Sequence, residues 1–170
     1  MKTYFVFSII FGSFIFSLSP SAEKNTSHSF SDDSWSGAVY FTETRTGPGI
    51  VVYQHRMGAI ITNDTGTATH SLITEIKDKY KVTCNGQGRS WLEVGIDDTS
   101  YSIFAGVPGC QGIRVSAAGN VESTGEDETG ITVPKQPLGP NRNSFRGTLV
   151  IRETAGNTII TTTYTWNVYK

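Results

Sequence analysis

The chain has 170 residues and a formal net charge of −1 at pH 7. That near-neutrality, with no long block of like charge, removes the electrostatic basis for binding nucleic acid or an anionic membrane surface. Five of the nine Phe fall in the first 22 residues, which read as a leader, so the rest of the chain must build its core from Val, Ile, Leu and Tyr.

Met1 to Ala22 has the layout of a secretory signal peptide. Lys2 gives a single positive charge, "YFVFSIIFGSFIFSL" gives an apolar run too promptly ended for a comfortable membrane helix, and "SPSA" gives small residues for cleavage. Removing 22 residues leaves 148, enough for one domain with a real core and hardly enough for two. Residues 23–33 read as a flexible polar lead-in, and residues 34–170 as a single β domain. Asn25 and Asn63 are glycosylation sequons, to be used only in a eukaryotic host.

Period-two alternation dominates residues 34–170, and helical periodicity is nearly absent. Short strands are expected at Trp35 to Thr44, Ile50 to His55, Met57 to Thr62, Tyr80 to Cys84, Ser90 to Asp97, Tyr101 to Val107, Gly112 to Ala117, Ser144 to Glu153 and Ile160 to Val168. Turn signals such as "NDTG", "IDDTS" and "TAGN" separate them. Only "SLITEIKDKY", Ser71 to Tyr80, has the option of a helical turn, with a strand equally compatible. About eight to nine short antiparallel strands, one core and one staple predict an all-β fold, a β-sandwich or small barrel.

Two segments echo each other. "SWSGAVYFTET" (Ser34 to Thr44) and "SFRGTLVIRET" (Ser144 to Thr154) share Ser, Gly, Glu and Thr at equal spacing. Trp35/Phe145, Val39/Leu149 and Phe41/Ile151 fall at every second position, which is what two strands meeting equivalent demands at opposite edges of one core require. Glu43 and Glu153 end that face and read as rim positions.

Cys84 and Cys110, in a chain bound for an oxidising compartment, read as one disulfide. A catalytic thiol or metal ligand lacks the Cys-x-x-Cys spacing and any histidine nearby in sequence. His55 and His70 flank an apparent hairpin whose turn holds Asp64, so the three form a candidate catalytic group, but no established catalytic signature is present. Trp91, Glu93 and Asp97 share the face opposite Leu92, Val94 and Ile96. With the aliphatic face buried, Trp91 and its carboxylates make a platform for a sugar ring or an acid pair for glycoside hydrolysis. With both faces covered, Trp91 belongs to the core, the placement its size favours.

Ala118 to Ser144 reads as a long loop and the first contact surface, with the option of a short strand at "GITV" (Gly130 to Val133) and with an acidic cluster at Glu126, Asp127 and Glu128 followed by basic Lys135 and Arg142. Acidic turns supply oxygen ligands but match no calcium-loop spacing, so no metal and no cofactor are expected. These readings favour a secreted or periplasmic, non-enzymatic binding module for a protein or glycan. The alternatives are a secreted glycan hydrolase and a small membrane-binding cytolysin. No integral membrane association is expected, because most runs fall short of the ~9 to 11 residues a spanning strand needs.

Overall fold

A computed structural model describes residues 34–170. The expected signal peptide and lead-in, with His28 and Asn25, lie outside the described residues. The described chain is all-β: β1 (Ser36–Thr46), β2 (Ile50–Thr62), β3 (Thr65–Ile76), β4 (Tyr80–Ile96), β5 (Ser100–Val107), β6 (Cys110–Ser116), β7 (Val121–Glu126), β8 (Thr129–Pro137), β9 (Ser144–Ala155) and β10 (Thr158–Tyr169). All pairings are antiparallel.

The strands run in the order β7-β6-β4-β3-β2-β1-β10-β9, with β5 and β8 branching from β4. β4 makes the branch because it is 17 residues long. Its first part, Tyr80 to Asn85, pairs β6, whereas Leu92 to Ile96 pair β5. β5 and β8 thereby fold over the inner face of β1, β2 and β3, and the core closes between the layers. Val39, Met57, Ala59, Ile61 and Ala68 come from one side, and Ile103, Ala105, Ile131 and Val133 from the other. Tyr101 joins the layers: its ring stacks on Phe145 at 4.1 Å between centroids, and its hydroxyl accepts a 3.1 Å hydrogen bond from the buried Trp166 Nε1.

The echoing segments are β1 and β9, and they do not lie at opposite edges of the core but flank one strand: β10 pairs both. Trp35 and Phe145 stack at 5.4 Å, so the shared pattern is the same packing demand met twice around β10. Ser71 to Tyr80 is strand and turn, without a helical turn. The segment 118–144 is no loop for most of its length. It carries β7 and β8, and Ile131 and Val133 of β8 are core residues.

Strand length also corrects an expectation. The separate runs at Ile50 to His55 and Met57 to Thr62 are one 13-residue strand, and β1, β3, β9 and β10 reach 11 or 12 residues. Polar residues inside a run, such as Gln54 and Arg56, end the apolar signal without ending the backbone ladder. The shortness that argued against integral membrane association therefore holds only for β5, β6 and β7 among the described strands, and that expectation is withdrawn.

Candidate functional site

The two-residue turn between β2 and β3 sets the site. Asn63 and Asp64 both have positive φ (50° and 63°), the conformation of a tight hairpin turn, and Thr62 pairs Thr65. From that register His55 lies opposite Leu72, and Met57 opposite His70. The two histidines are thus diagonal neighbours on the inner face. Their rings stack at 4.9 Å, and their Nε2 atoms stand 2.8 Å apart.

His70 is fully buried, and its orientation is fixed from β4 and the β5–β6 connection. Its Nδ1 lies 3.1 Å from the Pro108 carbonyl oxygen. A carbonyl only accepts, so Nδ1 carries the proton, and in the neutral ring Nε2 presents a lone pair. Gly86, opposite His70 on β4, makes this approach feasible. A Cβ there would collide with the Gly109 carbonyl, so any other residue would push the connection away from His70.

The third member arrives across the disulfide. Cys84 lies opposite Leu72 and is bonded to Cys110, which in turn lies opposite Glu126, the last residue of β7. This chain of pairings brings the Glu126 carboxylate over the histidines, with Oε2 3.2 Å from His70 Nε2 and 3.8 Å from His55 Nε2. His55 is half-buried, with Phe41 edge-on at 5.4 Å. Burial lowers its pKa, an effect that the Glu126 carboxylate offsets in part and His70 reinforces. Beyond it on the same face, burial followed by the Glu43 carboxylate raises the Tyr53 hydroxyl pKa, and Glu43 itself holds Arg45 at 2.7 Å.

Asp64 is not part of this group. Its carboxylate accepts from the Trp35 amide at 2.6 Å, in the hairpin turn six residues from His70 along the strand, or about 20 Å. Asp97 is likewise committed locally: it accepts from the Thr99 amide, the Ser100 amide and hydroxyl, and the Lys135 ammonium at 3.2 Å. Those bonds hold its pKa well below the usual carboxylate range. It therefore forms no catalytic pair with Glu93, and Lys135 serves the same turn. Trp91 is outside the core: its aliphatic neighbour Leu92 is buried, while Trp91 is 41% exposed. Glu93 is exposed on the same face, opposite Phe104, whose ring centroid is 6.1 Å from that of Trp91. Asp127 and Glu128 are exposed in the β7–β8 turn beside Glu126, and Arg142 is exposed before β9, apart from them in the chain.

The pairing of His55 with His70 was available in the sequence, since a two-residue turn fixes the hairpin register. No local signal gives Glu126, because its approach depends on β6, β7 and the disulfide together.

No family model matches the chain, and no curated protein matches it. Among solved structures it is similar to Ail, the attachment invasion locus protein of Yersinia pestis, at 12% identity and a TM-score of 0.28, over 81% of this chain and 98% of that one. A likeness at that level carries no argument about function.

Proposed function

We propose that the chain is an exported, non-enzymatic binding module that engages a glycan through the outer face of β4 and β5. The observation that carries this reading is the exposed Trp91 ring lying over Gly106, with the Glu93 carboxylate two residues along the same face. A sugar ring stacks its C–H groups on such a π-face, and an adjacent acid accepts from its hydroxyls. The platform is mounted on hydrogen-bonded strands, so little ordering is needed when a ligand arrives. Against a Glu93/Asp97 acid pair and a His55/His70/Asp64 group stand the local roles of two carboxylates: Asp97 holds a turn and Asp64 holds Trp35.

The test is a glycan array probed with the chain lacking residues 1–22, alongside Trp91→Ala. The expected result is a defined set of glycans captured by the wild type and lost, by tenfold or more, in the variant. Equal capture by both proteins, or no capture by either, refutes the glycan reading.

A further inference from the structure

We propose that His55, His70 and Glu126 form a binding site for one divalent transition-metal ion of the zinc class. The inference uses residues on the inner face, away from the Trp91 platform, and stands or falls independently of it.

Three atoms able to ligate a metal converge there, once the His55 proton has moved to its Nδ1. His70 Nε2 presents a lone pair because Nδ1 donates to Pro108 O; the Glu126 carboxylate only accepts; His55 Nε2 completes the group. In the metal-free protein, a single proton between the imidazoles satisfies their 2.8 Å contact and leaves Glu126 Oε2 facing His70 Nε2 at 3.2 Å. A cation resolves all three at once. The three separations, 2.8, 3.2 and 3.8 Å, define a triangle whose corners lie about 1.9 Å from a common centre. An ion about 0.8 Å out of that plane is ~2.1 Å from every ligand atom, the distance zinc keeps to imidazole nitrogen and carboxylate oxygen.

The chemistry of the donors selects the ion. Two imidazoles and one carboxylate suit Zn²⁺, Cu²⁺ or Ni²⁺, whereas Ca²⁺ and Mg²⁺ seek a shell of oxygens. The bond from His70 Nδ1 to a backbone carbonyl is the support that metal-bound histidines characteristically have. His70 is buried and the Glu126 side chain is 42% exposed, so the ion's open position faces solvent on the carboxylate side. The cysteines are tied in their disulfide and are not ligands.

Cobalt(II) tests the site directly. Untagged protein lacking residues 1–22, stripped with EDTA, is titrated with Co²⁺, and the visible absorption is followed. The expected result is saturation at one equivalent, with the intense bands of four- or five-coordinate cobalt, bleached by one equivalent of Zn²⁺. Glu126→Gln keeps the side-chain shape at the exposed rim, and His55→Gln alters a half-buried position. Each should weaken binding by at least about tenfold while keeping the far-ultraviolet circular dichroism of the wild type. Absence of the bands in the wild type, or equal affinity in both folded variants, overturns the proposal.

Discussion

Replacing Cys84 and Cys110 together by Ala probes the element that ties the site to the fold. The bridge joins residues 26 apart, and closing a loop of that size removes unfolded-chain entropy worth about 3.5 kcal/mol at 25 °C. Both residues are buried, so Ala is preferred to Ser, which would leave a hydroxyl to satisfy in the interior. In urea, where a domain of this size unfolds with a slope of roughly 2 kcal/mol per molar, the midpoint should fall by about 1.5–2 M. The assay is equilibrium unfolding followed by tryptophan fluorescence and circular dichroism in parallel, with coincidence of the two curves checked first. The native ladder should survive, because β6 is still paired to β4 through Tyr80 to Asn85. What should loosen is the placement of Glu126, which reaches the histidines through Cys110. A midpoint within 0.3 M of wild type, the ~0.3 marking assay error on the same slope scale, would refute the loop-closure argument.

Other expectations rest on single contacts. Tyr101→Phe keeps the stack on Phe145 but removes the acceptor for the buried Trp166 Nε1; the cost should be roughly 1–3 kcal/mol, read from chemical denaturation, and no change would mean the indole finds another partner. Asp97→Ala should destabilise the protein at neutral pH. Its folded pKa lies below the unfolded value of 3.8, so the stabilisation is complete above that value and is lost as pH falls toward the folded one. Thermal melts of wild type and variant should accordingly differ at pH 6 and converge in strong acid, and a gap independent of pH would contradict the assignment. Gly106→Ala places a methyl group where the Trp91 ring lies, so the ring must lift from β5. A changed indole emission and weaker capture of any glycan bound by the wild type are expected, and unaltered fluorescence would show that the ring does not rest there.

The all-β class, the alternation and the disulfide were legible in the order of residues, because each is a local or compartmental signal. Trp166 and Val168 turn inward and Thr165 and Asn167 outward along β10, as period two requires. The echo of β1 in β9 was legible for the same reason, though only the pairing shows that both flank β10. Strand ends were not legible where polar side chains interrupt the apolar rhythm: hydrogen bonds run through Gln54 and Arg56 regardless of side chain. The segment 118–144 hid β7, and all of β8 but its "GITV" centre, behind prolines and acids that edge strands and turns tolerate. Whether Trp91 is core or surface depended on what covers β4, which alternation does not state. The meeting of His55 and His70 with Glu126 is tertiary in the strictest sense. It needs a hairpin register, a glycine that admits Pro108, and a disulfide carrying β7 over the sheet, and no spacing along one chain encodes contacts created by three separate closures.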